Sequence, residues 1–215
     1  MNSPIIPRQQ SQAPAIVERP RATLAGLRAE ISKKLPLRRS ERIVYLVIDC
    51  SSSMQAACKL RNAANGAFEF ARQAYAKSYQ VGLIRFGSDA ENVLLASRDE
   101  SALRLRLDAL SADGSTNMTA AIEQGIVELQ SARGERVLYV VTDGQPDDRN
   151  GALAAAAKAK ALGISIMTLG TDDADQDFLA KLATRVELSA KVERTQLRNS
   201  VSDMARFLLS DGRSS

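Results

Sequence analysis

Short apolar runs and longer amphipathic segments alternate along most of the chain. Four runs contain almost no polar alternation, which indicates strands buried on both faces of a sheet: 43–49, 80–86, 136–143 and 164–170. In the segments between and after them, apolar residues recur every three to four positions, which predicts helices at 59–75, 99–110, 117–132, 150–163, 175–184 and 192–209. Weaker strands are predicted at the edges of the sheet, at 92–96 and 185–189.

This order of elements predicts an α/β fold. We expect a doubly wound, Rossmann-like, mostly parallel central sheet with helices on both faces. The least regular helix is 99–110, where Leu103, Leu105 and Leu107 alternate as they would in a strand, although its acidic start and its length favour a helix. In such folds ligands bind beyond the carboxyl ends of the strands, so the residues after each strand are the first candidates for function.

The first 42 residues differ from the rest of the chain. They hold five of the six prolines and carry a charge of +6, which leaves −2 for residues 43–215. We therefore predict a basic, proline-containing arm at 1–42, one globular domain at 43–209 and a flexible tail at 210–215. Leucine and isoleucine at helical spacing predict a short amphipathic helix at 21–35 in the arm, which could pack on its own domain, dock on a partner or lie on an acidic surface.

Composition argues against several classes of enzyme and metal site. The sequence contains no histidine and two cysteines, which disfavours hydrolases that need an imidazole base, zinc sites and disulfide frameworks. Neither a G-x-S-x-G nucleophile turn nor a phosphate-binding P-loop motif occurs. Without a long apolar stretch or a signal-peptide pattern, we expect a cytoplasmic protein that has no membrane association.

Acids and hydroxyls collect where two of the predicted strands end. Asp49 lies in IDCSSSM and Asp143 in VTDGQPDD, and the cluster DGSTNMT at 113–119 precedes the helix that leads into the second of these strands. All of the candidate ligands are hard oxygen atoms, the donors that Mg²⁺, Mn²⁺ and Ca²⁺ prefer. The sequence thus predicts a site for a divalent cation at this edge.

Each of these residues also has a purely structural interpretation. Ser53 could cap a helix beginning near residue 56, and Ser115 or Thr116 could cap the helix near 118. Cys50 is expected to be an apolar filler rather than a ligand. Asn117 and Gln145 are candidates for positioning the ligands, whereas the remaining acids are expected on solvated loops: Asp147, Asp148, Asp172, Asp173, Asp175 and Asp177.

Together, these fragments resemble the metal-ion-dependent adhesion site (MIDAS) of the von Willebrand factor A (VWA) domain, in a compact intracellular bacterial form. The resemblance covers about 43–209 and rests on D-x-S-x-S, the threonine in GSTNMTAAI and the aspartate in VTDGQPDD. Ser52 stands where that family usually has glycine. The resemblance implies a metal site made by Asp49, Ser51, Ser53, Thr116 and Asp143.

What the resemblance implies about function is adhesion through the metal. A Mg²⁺ ion, or Mn²⁺ or Ca²⁺, would keep one coordination position for an Asp or Glu carboxylate of a protein partner. Similar bacterial proteins act as non-enzymatic adaptors of AAA+ ATPases, or accompany kinases and phosphatases in stress responses, so we expect a partner of this kind and no catalysis.

Other functions stay open at this point. The basic arm at 1–42 could bind nucleic acid, although it has no aromatic side chain for stacking on bases. A Mg²⁺-dependent phosphatase is a further alternative, since two carboxylates and a metal can hold a phosphate. The arm could also fold back and offer one of its own carboxylates to the metal, from Glu18, Glu30 or Glu41.

Overall fold

The structure is a computed structural model that describes residues 41–171 and 174–209. The predicted helix at 21–35 and the predicted tail at 210–215 lie outside the described residues, as does all of the arm except Glu41 and Arg42. Within the described ranges, no helix is both long and apolar enough to cross a membrane.

A six-stranded sheet forms the centre of the domain, in the order β3-β2-β1-β4-β5-β6. β3 is antiparallel to β2, whereas the other neighbouring strands are parallel. This arrangement confirms the predicted α/β fold. The strands are β1 (Glu41–Asp49), β2 (Gln80–Phe86), β3 (Ala90–Ser97), β4 (Gly134–Thr142), β5 (Ser165–Thr171) and β6 (Ser189–Val192).

Helices connect the strands and cover both faces of the sheet. The α-helices are α1 (Lys59–Ala76), α2 (Glu100–Asp108), α3 (Met118–Leu129), α4 (Arg149–Ala161), α5 (Gln176–Leu182) and α6 (Leu197–Asp203). Shorter 3₁₀ segments are Ser52–Cys58, Val186–Leu188, Arg194–Gln196 and Met204–Phe207.

Alternating side chains of the central strands build two separate cores. Val44, Leu46 and Ile48 of β1 face the core that contains α1 and α6. Tyr45 and Val47 face the opposite core, which contains α3 and α4. Because both faces are covered, the central strands read as continuous apolar runs, which is why the sequence revealed them.

The C-terminal region departs from the sequence prediction in two places. The last strand is Ser189–Val192 instead of 185–189, because its pairing with β5 decides its position; the Thr168 hydroxyl contacts that of Ser189 at 2.9 Å. The predicted helix at 192–209 is broken into α6 and two 3₁₀ segments. At its end the Lys77 ammonium donates to the carbonyls of Ala205 and Leu208, at 2.8 and 2.9 Å, which satisfies acceptors that a longer helix would have used itself.

The start of α4 offers a test of local helix stability. The Asp148 carboxylate accepts a hydrogen bond from the Gly151 amide at 2.9 Å and so caps the helix. We expect Asp148→Ala to lower the free energy of unfolding by about 1 kcal/mol, measured by urea denaturation. Asp148→Asn retains the acceptor and should change stability little; an equal loss in both variants would contradict the capping role.

Candidate metal centre

Asp49 and Asp143 meet at the carboxyl edge of the sheet. Asp49 ends β1 and Asp143 directly follows β4, and these two strands are paired in parallel with Ile48 opposite Val141. Both acids are buried, with exposed fractions of 0% and 2%. The predicted convergence of the two carboxylates is therefore present in the fold.

Donors on both sides hold the Asp49 carboxylate. The Ser51 amide donates to Oδ1 at 2.8 Å, and the Thr142 hydroxyl donates to Oδ2 at 2.5 Å. Burial raises the pKa of Asp49 to about 6, against the lowering effect of these hydrogen bonds. Each carboxylate oxygen has two lone pairs, so both oxygens retain acceptor capacity for a cation.

Asp143 is held by a hydroxyl and by an ammonium group. The Ser53 hydroxyl donates to Oδ1 at 2.6 Å, and the Lys59 ammonium donates to Oδ2 at 2.5 Å. The side chains of this ion pair are 7% and 1% exposed, for Lys59 and Asp143 respectively. Sequence reasoning missed Lys59, because a lysine in the first turn of an amphipathic helix looks like any residue of its polar face.

The two serines of the predicted site lie side by side. Ser51 Oγ and Ser53 Oγ are 3.0 Å apart. Neighbouring ligand oxygens around an octahedral Mg²⁺ with bonds of ~2.1 Å lie ~3.0 Å apart, so this spacing suits two positions of one coordination sphere. The hydrogen bond from Ser53 to Asp143 extends the series of oxygen atoms to the second carboxylate.

Thr116 reaches the same region from the loop before α3. A β-carbon built on Gly144 would lie 3.8 Å from Thr116 Oγ1 and 3.9 Å from Ser53 Oγ, so both hydroxyls flank this glycine. The Asp147 carboxylate accepts from the Thr116 amide at 3.2 Å and from the Ser115 hydroxyl at 2.6 Å, which fixes the loop. Asp147 is thus a positioning residue rather than a freely solvated acid.

Ser52 joins the two loops that carry the hydroxyls. Its amide and its hydroxyl each donate to the carbonyl of Gly114 at 3.0 Å. In the described residues, positive φ outside glycine occurs at Cys58 and Ser78. The backbone at Ser52 therefore needs no glycine, and its hydroxyl adds a contact that glycine could not make.

The helix-capping interpretation is wrong for the candidate ligands. Ser53 donates to Asp143, and α3 is capped by Asn117, whose side-chain oxygen Oδ1 accepts from the Ala120 amide at 3.1 Å. Ser115 and Thr116 precede that cap, and the Ser115 hydroxyl donates to Asp147 instead.

The loop acids divide among several roles. Asp148 and Asp175 cap helices α4 and α5, and Asp177 lies within α5 instead of on a loop. Asp172 and Asp173 lie outside the described residues. Of the two predicted positioning residues, Asn117 also donates from its side-chain amide Nδ2 to the backbone carbonyl of Ser88 at 3.1 Å, whereas Gln145 is exposed.

The two cysteines differ in accessibility, which yields a second prediction. Cys50 is buried and its pKa is raised by burial to about 12, whereas Cys58 is exposed. We expect a thiol reagent to modify Cys58 in the native protein and Cys50 at least about a hundredfold more slowly. Mass spectrometry after timed alkylation measures both rates. Rapid native labelling of a Cys58→Ser variant would contradict the burial of Cys50.

The donor set fits a hard divalent cation. In the described part of the chain, no three His, Cys, Asp or Glu side chains are grouped as a metal would need, so a site here would need further oxygen donors. The two carboxylates and the hydroxyls of Ser51, Ser53 and Thr116 supply the required oxygen atoms. The Lys59 ammonium shows that the position beside Asp143 already accommodates a positive charge.

Comparison with known protein families identifies the family of this chain. The model of the von Willebrand factor type A domain matches residues 44–203. The chain belongs to the VWA family. Domains of this family commonly mediate protein–protein interactions or adhesion.

Solved VWA structures share the fold at low sequence identity. The vWF domain of the type V pili tip protein Mfa5 from Porphyromonas gingivalis is 13% identical with a TM-score of 0.70, over 78% of this chain and 94% of that one. The pilus adhesin SpaC from Lactobacillus rhamnosus GG is 16% identical with a TM-score of 0.70, over 79% of this chain but only 30% of that one. Manganese-loaded TRAP from Plasmodium vivax is 16% identical with a TM-score of 0.64, over 77% of this chain and 74% of that one.

Proposed function

We propose that this VWA protein is a non-enzymatic, divalent-metal-dependent interaction module. Asp49, Ser51, Ser53, Thr116 and Asp143 would hold Mg²⁺, or Mn²⁺ or Ca²⁺, and a partner's Asp or Glu carboxylate would complete the coordination. The main support is the convergence of two buried carboxylates with the paired hydroxyls of Ser51 and Ser53 at one edge of the sheet. A VWA protein of the same fold has been solved loaded with manganese.

Charge explains why such a site would select an anionic partner. Neutral hydroxyls add no negative charge, so a divalent cation in this set would be balanced by the two carboxylates alone, beside the positive charge of Lys59. A further carboxylate is then attracted to the metal. The role of the chain's own residues is to orient the metal, to restrict its access to water and to leave the partner's oxygen as the remaining ligand.

The proposal predicts that capture of the partner needs both the metal and Asp49. Full-length wild type and Asp49→Ala are used as baits in a lysate of the source cells, each with Mg²⁺ and with EDTA, followed by mass spectrometry. We expect partners that appear only with wild type in Mg²⁺, at least about tenfold above the other conditions. Asp108→Ala removes an exposed acid of α2 and serves as the matched control.

Circular dichroism of each bait confirms that it is folded. Partners retained equally in all conditions would contradict a metal-bridged mechanism. Once a partner is identified, replacing its contacting Asp or Glu by alanine should reproduce the loss of capture seen with Asp49→Ala.

The finer functional assignments stay predictions. These include the AAA+ ATPase or kinase/phosphatase partner, the cytoplasmic location and the bacterial type. The nucleic-acid alternative depends on the arm at 1–42, most of which lies outside the described residues. Binding to nucleic acid that ignores EDTA, weakens with salt and disappears on deletion of 1–42 would favour that alternative over the metal-bridged one.

A further inference from the structure

Lys59 occupies an unusual place for a lysine. It is the first residue of α1, and it follows Cys58, whose left-handed backbone (φ 56°) joins the 3₁₀ segment Ser52–Cys58 to the helix. This turn lets the side chain of Lys59 run back towards the sheet edge, where its ammonium contacts Asp143.

The faces of the sheet explain why the ammonium contacts one carboxylate in particular. Asp143 lies two residues beyond Val141, which belongs to the core beneath α1. Asp49 lies two residues beyond Val47, which belongs to the opposite core. Asp143 directly follows β4, and its contact with Lys59 at the start of α1 places its carboxylate on the same face as Val141.

The burial of this ion pair has a cost in folding free energy. Removing an ammonium and a carboxylate from water carries a large desolvation penalty, and lysine is rarely buried. Two other described lysines bind backbone carbonyls instead, Lys77 at Ala205 and Lys160 at Lys181. Lys59 differs because its buried partner is a candidate metal ligand.

We propose that the Lys59 ammonium is a built-in cation of the adhesion site, which competes with the divalent metal for Asp143 and thereby lowers the affinity of the site for that metal. This inference rests on the proposed metal site. When Lys59 holds Asp143, the charge of that carboxylate is offset by the chain itself. A divalent cation must then either displace the ammonium or bind beside a like charge.

Removal of the ammonium should strengthen metal binding. Lys59→Met retains much of the apolar stem without its charge, and we expect the full-length variant to bind Mn²⁺ at least about tenfold more tightly than wild type. The concentration of free Mn²⁺ is followed by electron paramagnetic resonance during titration of metal-free protein. Lys158→Met, an exposed residue of α4, removes the same charge elsewhere and should bind like wild type.

Thermal melts give a second readout that does not depend on affinity alone. Without metal, Lys59→Met should melt at a lower temperature than wild type, because Asp143 loses its counter-ion. Addition of Mn²⁺ should then raise the melting temperature of the variant more than that of wild type. Lys59→Gln provides the same comparison if the methionine variant fails to fold, and adding Asp143→Asn to either variant should abolish the gain in Mn²⁺ affinity.

The outcomes separate the two proposals. Equal or weaker Mn²⁺ binding by both Lys59 variants, beside a wild type that binds, would overturn the competition and leave the metal site intact. Absence of Mn²⁺ binding by wild type and by every Lys59 variant would overturn the metal site and the competition together. Binding by the Lys59 variants but not by wild type would support the competition in its strongest form.

Discussion

Gly66→Val is expected to destabilise the domain by about 3 kcal/mol or more, which lowers the melting temperature by roughly 6–12 °C in a protein of this size. A β-carbon on Gly66 would overlap the carbonyl oxygen of Arg198 and lie 2.7 Å from Cβ of Val201. Both neighbours belong to α6, so the obstacle includes backbone, which cannot rotate away as a side chain can. The close packing of α1 on α6 depends on this missing side chain.

Helix propensity opposes this loss of stability, and the sign of the net change depends on which of the two effects is larger. Replacing a glycine inside a helix gains at most about 1 kcal/mol, which is less than the cost of forcing two packed helices apart. Arg61→Val places the same side chain at an exposed position of α1 and should change stability by less than about 1 kcal/mol. Thermal and urea unfolding of both variants tests the argument, and a Gly66→Val variant as stable as wild type or more stable would show that the gain in propensity outweighs the cost of packing.

Sequence patterns predicted those elements whose own residues determine their structure. The helix at α2 illustrates this: Leu103 and Leu107 are buried and Leu105 is 68% exposed, as expected for residues spaced along a helix. The alternation of leucines that resembled a strand therefore reflects two core positions one turn apart with a third facing solvent. The position of β6 could not be obtained in this way, because pairing with β5 selects Ser189–Val192 over a neighbouring segment with a stronger strand pattern.

In the candidate site too, some residues could be predicted from sequence and one could not. Asp49 and Asp143 could be placed from sequence, because each ends or follows an obvious parallel strand and such strands end at one edge. Lys59 could not, because its approach depends on the left-handed backbone at Cys58, where the sequence has no glycine to signal it. Local backbone conformation, rather than the residue type, brings the lysine to Asp143.

In metal-free protein, removing the charge of Asp49 and removing that of Asp143 should change the stability of the fold in opposite directions. Burial raises the pKa of Asp49 from 3.8 to about 6, so the ionised carboxylate costs up to about 3 kcal/mol of stability. Asp49→Asn removes that charge and keeps an oxygen for the Ser51 amide, and we expect a gain of about 2 kcal/mol. Asp143→Asn instead removes the buried charge that the Lys59 ammonium contacts, and we expect a loss of about 3 kcal/mol.

Urea unfolding in EDTA near neutral pH measures both changes, and the same experiment in Mg²⁺ adds the contribution of the metal. Mg²⁺ should stabilise wild type and have little effect on either variant, so the advantage of Asp49→Asn should shrink or vanish when the metal is present. Destabilisation by Asp49→Asn in EDTA would mean that its hydrogen bonds to Ser51 and Thr142 outweigh the cost of burial. The two expected changes have opposite signs because, among the described residues, Asp143 has an ammonium partner whereas the donors to Asp49 are the neutral groups of Ser51 and Thr142.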